Sequence, residues 1–162
     1  DPLKEVCRIA FSLNDEQLHG NLKETTDVRW NKSPREILQY VGTDIFRNQM
    51  VNFLPDISNK FWINNLKNRL DAQIKNNNDS LIVITDLRFQ DEVDFVKSYG
   101  KEYNYDVLIV RVSRDIENVD THCSEQMIKF LKNIDLEIDN NSTKDNLYKK
   151  IDDMLVAYND KL

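Results

Sequence analysis

The chain has 162 residues, of which 31% are charged and 40% hydrophobic, proportions that are typical of a folded globular domain and exclude an intrinsically disordered chain. The formal net charge of −6 argues against broad binding to nucleic acid or acidic membranes, and the longest apolar runs have the length of strands rather than membrane spans. Cys7 and Cys123 lie far apart without the spacing of metal ligands, which favours reduced thiols in a cytosolic setting.

The first part of the chain is predicted to be helical. Residues 2–11 read as an amphipathic helix, and the polar stretch over 14–31 is predicted to be irregular. A break near Pro55 precedes another predicted helix over 59–74, which carries Trp62.

Between these segments lies a strong helix start. Ser33 stands at the N-cap, Pro34 at the first helical position and Glu36 three residues after the cap, which is the pattern of a capping box. In the helix that follows, apolar residues recur at a spacing of four and predict the core face: Ile37, Val41 and Ile45.

The remainder of the chain alternates between strand-like and helix-like segments. The predicted strands cover 81–85, 106–112 and 134–138, and the predicted helices cover 90–99, 124–132 and 143–158. This alternation predicts an α/β domain with a parallel sheet between two helical layers, and residues 1–162 are expected to form one domain. Three strands make a thin sheet, so we expect either a missed strand or a domain that lacks its beginning.

Two charged residues follow the apolar run of the first predicted strand. Ligands of parallel sheets bind just beyond the carboxyl ends of the strands, where Asp86 and Arg88 are expected to lie. A carboxylate and a guanidinium at that edge favour phosphate or metal–phosphate chemistry.

Several segments, in this order along the chain, resemble the deoxynucleoside monophosphate kinases of large bacteriophages and related viruses. They are Asp1–Glu5, Ser33–Gln39, Gly42–Asp44, Phe61–Ile63, Ile84–Glu92, Thr121–Glu125 and Ile138–Ser142. The resemblance implies a P-loop fold of the nucleoside monophosphate kinase type, in a three-layer arrangement. It also implies transfer of the γ-phosphoryl group of ATP to a deoxynucleoside monophosphate with Mg²⁺.

The chain departs from the family at the loop that holds the ATP phosphates. In the family, a first strand and a G-x-x-x-x-G-K-[ST] loop precede the segment similar to Asp1–Lys4, and none of the three glycines of this chain stands in such a loop. Either the first strands and the loop lie upstream in a longer protein, as the start at Asp1 favours, or a kinase-derived protein has lost its nucleotide site.

The resemblance places an acceptor site on the two predicted helices. Arg35 and Gln39 match the positions that hold the substrate monophosphate and base, and Arg suits phosphate as Gln suits a base edge. Trp62 matches an aromatic residue that could stack on the base. The alternatives are a solvated helix face for Arg35 and Gln39, and a core position for Trp62.

Three further residues belong to the substrate side by resemblance: Asp86, Arg88 and Glu92. Asp86 could order Mg²⁺ or its waters, or bond to the nucleotide, and Arg88 could hold phosphate; the residues themselves predict no protein-only metal site. The alternative is a carboxylate that caps the next helix and an Arg paired with Asp91 or Glu92.

Towards the end of the chain, the resemblance implies a lid and a contact with the ATP base. Arg114, with Arg111 before it, lies in the segment that closes over the phosphates, where Arg114 would act on the transferring group. Asn140 lies in the loop that meets the adenine. The alternatives are a surface charge network for Arg111 and Arg114, and a helix-capping loop at Asn140.

Together these features predict a deoxynucleoside monophosphate kinase that uses ATP and Mg²⁺ in the cytoplasm, the host cytoplasm for a viral protein. No direct partner among nucleic acids or membranes is expected, and a homodimer is left open. One alternative is a non-catalytic structural or assembly protein built on a kinase fold without its P-loop. Another keeps the fold and changes the acceptor, as in dephospho-coenzyme A kinases, although Arg35, Gln39 and Trp62 weigh against it.

Overall fold

A computed structural model gives the structure of the protein and describes residues 1–76, 81–115 and 122–159. The chain divides into two compact units, Asp1–Val83 and Ile84–Leu162, which we call unit 1 and unit 2. Each unit has buried apolar residues of its own. The single domain expected over residues 1–162 stays a prediction.

Unit 1 is built from helices in its described part. Its α-helices are α1 (Pro2–Phe11), α2 (Asp15–Leu18), α3 (Pro34–Gln39) and α4 (Phe61–Asn76). A π-helical segment spans Tyr40–Gln49, and short 3₁₀ turns lie at Asn21–Glu24, Met50–Asn52 and Pro55–Ile57. The core of the unit is formed by residues from α1, α2, α3 and the segments that join and follow them: Cys7, Leu13, Leu18, Ile37, Leu38 and Val41.

The ends of α1 follow from its sequence. Asp1 accepts a hydrogen bond from the backbone N–H of Leu3 at 3.0 Å, and Pro2 stands where a helix needs no N–H donor. Ser12 ends the helix in the left-handed conformation, with φ of 53°. The predicted helix over residues 2–11 is confirmed.

The prediction of an irregular stretch over 14–31 is wrong in part, because polar side chains there satisfy short helical turns. The Asn14 side chain accepts from the Gln17 N–H and the Gln17 side chain accepts from the Asn14 N–H, both at 3.0 Å. This reciprocal pair is a capping box at the start of α2. Gln17 also donates to the buried carboxylate of Asp27 at 2.7 Å, and Arg29 pairs with the same carboxylate. The Arg29 guanidinium holds the pKa of the Asp27 carboxyl well below its usual range.

The capping box at the start of α3 is confirmed. The Ser33 backbone N–H donates to Oε2 of Glu36 at 2.8 Å, while Ser33 Oγ accepts from the Glu36 N–H at 3.3 Å. Ile37 and Val41 are buried and Ile45 packs against the core, so the predicted apolar face is also confirmed. The spacing did not predict the change of winding after Gln39, where the α-helix gives way to the π-helical segment.

Unit 2 combines helices with a small sheet. Its elements are α5 (Gln90–Tyr103), β1 (Val110–Ser113), α6 (Cys123–Met127), a 3₁₀ turn at Ile128–Phe130, β2 (Leu136–Asp139) and α7 (Lys144–Asn159). The two strands pair in parallel, with Val110 opposite Leu136 and Ser113 opposite Asp139. Helices around a parallel sheet are consistent with the predicted α/β class.

The strand predicted over 81–85 is wrong, because no regular secondary structure covers these residues. Leu81 and Val83 are 88% and 74% exposed, while Ile82 and Ile84 are half-buried, so the burial still alternates as in a strand. A strand takes its hydrogen bonds from a neighbour. In the described part of the chain no strand pairs with this segment, and the sheet there has two strands rather than three.

The two remaining strands lie close to their predicted positions. β1 begins four residues later than predicted, at Val110, because its partner begins only at Leu136. Directly before the paired residues of β1, the Ile109 N–H donates to the Asp135 carboxylate at 2.8 Å instead of to a strand. Lys97 of α5 holds the same carboxylate at 2.9 Å, which ties the helix to the sheet.

Candidate functional site

Arg35 and Gln39 lie one turn apart on α3 and are both half-buried. The Nε of Arg35 donates to Oε1 of Glu24 at 2.5 Å, so a carboxylate from the turn at Asn21–Glu24 meets the guanidinium. Since a guanidinium binds carboxylate and phosphate through the same planar fork, Glu24 occupies a position that an anionic ligand could take.

Trp62, near the start of α4, contacts the segment that follows Gln39. Its indole Nε1 donates to the carbonyl oxygen of Gly42 at 2.8 Å. Its ring lies 5.4 Å from the ring of Phe46 and 5.1 Å from the ring of Phe61, measured between centroids. Trp62 is half-buried, so this side chain takes part in packing and still reaches the surface.

Two further polar residues of the π-helical segment were missed by sequence reasoning. Thr43 is 7% exposed and Arg47 is 5% exposed. A signal was present, because both continue the four-residue spacing of Arg35 and Gln39 along the chain. The burial of a charged guanidinium is costly and rare in proteins, which marks Arg47 as a residue with a specific role.

In unit 2, Asp86, Arg88 and Glu92 surround the start of α5. Asp86 accepts from the Thr85 hydroxyl at 2.9 Å, and its other carboxylate oxygen lies 3.8 Å from a terminal nitrogen of Arg88. The Asp86 side chain is 66% exposed and that of Arg88 34% exposed. The pair therefore presents one anionic and one cationic group at the surface.

Glu92 has a structural role at this helix start. Its Oε2 accepts from the backbone N–H of Arg88 at 2.9 Å and from that of Phe89 at 3.1 Å. These are bonds to backbone groups that a helix start leaves without intrahelical partners. Glu92 thus fixes the backbone that carries Arg88. The alternative for Asp86 was a carboxylate that caps the next helix, and in the structure Glu92 has that capping role.

Arg111 lies within β1 and Arg114 directly follows the strand, and the two arginines have different surroundings. Arg111 donates to Oε1 of Glu137 and to the carbonyl oxygen of Leu131, both at 2.6 Å, so it ties β1 to β2 and to the turn before it. Arg114 is exposed and makes no hydrogen bond or ion pair among the described residues. The charged connection predicted after Arg114 continues into residues 116–121, which lie outside the described part.

The loop after β2 is held by the neighbours of Asn140. Asn141 accepts from the Asp115 N–H at 2.6 Å and donates to its carboxylate at 2.7 Å, and Lys150 donates to the carbonyl oxygen of Asp139 at 2.7 Å. Asn140 donates its backbone N–H to Ser113 at 2.7 Å, while its side chain bonds to no group in the described ranges. Arg114 and Asn140 therefore lie at the same carboxyl edge of the sheet.

The predicted site residues thus form separate groups. Unit 1 brings Arg35, Gln39 and Trp62 onto α3, the π-helical segment and the start of α4. Unit 2 places one group at the start of α5 and another at the carboxyl edge of its sheet, the position at which ligands of parallel sheets bind.

Comparison with known proteins decides the family. The sequence profile of the deoxynucleotide monophosphate kinases matches residues 6–151. The chain belongs to this family. It is 36% identical over 155 residues to a protein of Acanthamoeba polyphaga mimivirus named "Putative deoxynucleotide monophosphate kinase", in an alignment that covers 93% of this chain and 77% of the relative. No solved structure matches the chain.

Membership of the deoxynucleotide monophosphate kinase family confirms the resemblance that the ordered segments predict. The match runs through both units, from α1 into α7, and so includes every candidate residue. The roles of the individual residues stay predictions. Along the described ranges, no helix combines the length and apolar character that a membrane crossing requires.

Proposed function

We propose that the protein phosphorylates a deoxynucleoside monophosphate at the expense of ATP, with Mg²⁺. The observation that carries this proposal is an arrangement in unit 1. The helix with Arg35 and Gln39 continues into the π-helical segment, and the Gly42 carbonyl of that segment accepts a hydrogen bond from the Trp62 indole. A cation, an amide and an aromatic ring on adjoining elements are what a nucleotide with a phosphate, a polar base edge and an aromatic face requires.

In this proposal, Arg35 binds the acceptor phosphate and releases Glu24, since one guanidinium edge cannot hold both anions in the same geometry. Gln39, one turn further, meets the base edge with its amide, which both donates and accepts. Trp62 stacks on the base, held in orientation by its bond to Gly42.

In unit 2, the residues that we propose to act on the substrate are Asp86, Arg88 and Glu92. Arg88 binds phosphate, and Glu92 holds the Arg88 backbone in place through the two N–H bonds described above. Asp86 is the carboxylate that would hold Mg²⁺ or its waters, because Mg²⁺ at nucleotides takes one or two protein carboxylates and completes its shell with phosphate oxygens and water. When bound, the ion would neutralise charge on the phosphates.

Arg114 and Asn140 form the donor side of the proposal. Arg114 is exposed at the edge of the sheet and would bring its charge to the transferring phosphoryl group, while the Asn140 amide would meet the adenine. The three glycines of this sequence supply no phosphate-cradling loop, so the residues present fit the acceptor nucleotide better than the phosphates of ATP.

The finer features of the fold and setting are part of the same proposal. We infer a three-layer domain of the P-loop kinase type, in which the parallel pair β1–β2 forms part of a larger sheet. The host cytoplasm, where both nucleotides are present, is the proposed setting. Since the net charge is −6, nucleic acid is not a proposed partner, and a homodimer stays open.

The proposal is tested by titration calorimetry with the four deoxynucleoside monophosphates and with dephospho-coenzyme A. We expect the protein to bind a deoxynucleoside monophosphate and Arg35→Ala to weaken that binding by roughly 1.5–3 kcal/mol, the scale of a lost charged hydrogen bond. Arg88→Ala should have an effect of the same size.

Arg8→Ala is the matched control for Arg35→Ala. Arg8 also lies on a helix of unit 1, its side chain is 32% exposed against 35% for Arg35, and it pairs with Glu5 and Asp15. This variant should bind as the wild type does. Equal binding by the Arg35→Ala and Arg8→Ala variants would contradict the acceptor site, and binding of dephospho-coenzyme A alone would favour the other kinase class.

A further inference from the structure

Thr43 lies four residues after Gln39, in the π-helical segment, and its side chain has no role in the function proposed above. We propose that Thr43 is a specificity-determining residue of the acceptor site, whose hydroxyl reads the edge of the nucleobase together with the Gln39 amide. This inference rests on the proposed function and extends it from binding to the choice of base.

The first observation is the state of the Thr43 hydroxyl. Thr43 is 7% exposed, yet its side chain makes no hydrogen bond to any other residue in ranges 1–76, 81–115 and 122–159. The hydroxyl oxygen is not among the buried side-chain atoms that lack a partner, so it keeps contact with solvent although the residue as a whole is buried. A ligand could therefore reach this hydroxyl and bond to it.

The second observation is the winding of the helix. In an α-helix of 3.6 residues per turn, residues four apart are offset by about 40° around the axis, so a stripe at that spacing drifts round the helix. In the π-helical segment, Met50 donates to the carbonyl oxygen of Ile45, five residues before it. A π-helix therefore has more residues per turn, and a step of four falls short of a full turn instead of exceeding it.

The change of winding at Tyr40 consequently reverses the drift. Arg35, Gln39, Thr43 and Arg47 are kept near one face, opposite the apolar stripe that begins at Ile37. Along this face burial increases, because Arg35 and Gln39 are half-buried whereas Thr43 and Arg47 are 7% and 5% exposed. A nucleotide whose phosphate meets Arg35, at the less buried end of this face, would direct its base towards Gln39 and Thr43.

The third observation is the position of Trp62. Its indole bonds to the carbonyl oxygen of Gly42, the residue directly before Thr43. We therefore expect a base stacked on this ring to lie near the backbone that carries Thr43. Since a hydroxyl and a primary amide each donate and accept, the pair can distinguish base edges by their order of donors and acceptors.

The experiment compares equilibrium binding by Thr43→Val, which removes the hydroxyl, and Thr43→Ser, which keeps it. The probes are the four deoxynucleoside monophosphates and deoxyribose 5-phosphate, which lacks the base. We expect Thr43→Val to lose about tenfold in affinity for the preferred nucleotide, with little change for the least preferred one and for deoxyribose 5-phosphate. Thr43→Ser should restore the preference.

Two controls make the test decisive. Thr43→Ala lacks the hydroxyl in a smaller side chain that suits a helix, and it replaces Thr43→Val should that variant fail to fold. Thr25→Val removes an exposed hydroxyl in the same unit and should bind as the wild type does. An equal change for all ligands, or no change, would overturn the role of Thr43 while leaving the proposed function standing. If the wild type binds no deoxynucleoside monophosphate, both fall together.

Discussion

The indole Nε1 of Trp62 donates to the carbonyl oxygen of Gly42 over 2.8 Å, which fastens the start of α4 to the π-helical segment. A second tryptophan makes a bond of the same kind, since Nε1 of Trp30 donates to the carbonyl oxygen of Phe11 at 3.0 Å. The two side chains therefore form a natural pair for experiment. Each is a tryptophan of unit 1 bonded to a backbone carbonyl, and only Trp62 lies next to the candidate acceptor residues.

Trp62→Phe and Trp30→Phe should each cost about 1 kcal/mol of stability for the lost hydrogen bond, in addition to the loss of contact area. Only Trp62→Phe should also weaken binding of a deoxynucleoside monophosphate. In the Trp30→Phe protein, Trp62 is the one remaining tryptophan, and its fluorescence should respond to the nucleotide but not to inorganic phosphate. A response to both ligands, or to neither, would contradict the stacking of Trp62 on the base.

Arg111 and Arg114 stand three residues apart and should differ in what they do. Arg111 bonds to Glu137 and Leu131, so Arg111→Ala should lower the stability of unit 2 by about 1–2 kcal/mol. The value is kept low because the Glu137 side chain is exposed and solvent weakens its ion pair with Arg111. Arg114 has no such bonds in the described ranges, and Arg114→Ala should change stability by less than about 0.5 kcal/mol.

The activity of these two variants should show the opposite order. If Arg114 acts on the transferring phosphoryl group, Arg114→Ala should lower kcat by roughly 10³-fold, the scale of a lost arginine at such a group. Thermal unfolding and a coupled assay of ADP formation measure both quantities. A stable Arg114→Ala protein with unchanged kcat would assign the lid to other residues.

The sequence predicted helices better than strands in this chain, and the reason is the range of the interactions. Caps such as Ser33 with Glu36 act over three residues, so their pattern is visible in the sequence. The apolar run over 81–85 has the composition of a strand, but a strand forms only beside a partner that composition does not reveal. The π-helical winding after Gln39 was likewise not predicted, since no residue type is characteristic of it.

For the candidate site, the residues predicted from the sequence lie at or near the surface, and the buried residues of the same stripe were not predicted. Arg35 and Arg88 were predicted from resemblance and lie where a ligand can reach them. Thr43 and Arg47 continue the same spacing, but their burial arises from tertiary packing, which the spacing does not show. The role of Glu92 as a cap became clear only from its bonds to the N–H groups of Arg88 and Phe89.

The carboxylate of Glu36 should make unit 1 sensitive to acid. The ammonium of Lys32, followed by the N–H and hydroxyl of Ser33, lowers the pKa of Glu36 from its ordinary value of 4.5 to about 2. Because the pKa is lower in the folded protein, ionised Glu36 stabilises the fold fully above about pH 4.5, and this contribution is lost as the pH falls towards 2.

Glu36→Gln should therefore lower Tm at pH 7 and make the dependence of Tm on pH shallower between about 5 and 2. Asp56→Asn serves as the control, because Asp56 is an exposed carboxylate of the same unit whose side chain bonds to nothing in the described part. Thermal unfolding across this pH range measures the difference. Curves of equal slope for the wild type and Glu36→Gln would show that the capping bonds do not carry the effect.

Gly100 lies where α5 packs closely against the segment that leads to β1. A Cβ atom at this position would overlap Cγ2 of Val107 and would lie 3.1 Å from the carbonyl oxygen of Tyr105. The Gly100 carbonyl also accepts from the Tyr105 N–H at 2.8 Å, so the backbone there has little room to move. Val107 is branched at Cβ and cannot turn aside easily.

Gly100→Ala should consequently destabilise unit 2 by about 1–3 kcal/mol, the usual cost of an overfilled site, although alanine favours a helix over glycine by about 1 kcal/mol. Val107→Ala removes the overlapping atom. In the Val107→Ala protein, Gly100→Ala should therefore cost much less stability than it costs in the wild type. Lys101→Ala, at an exposed position of the same helix, should change stability little. Urea unfolding of the four proteins gives the coupling energy, and additive effects of the two substitutions would show that Gly100 is not required by the contact with Val107.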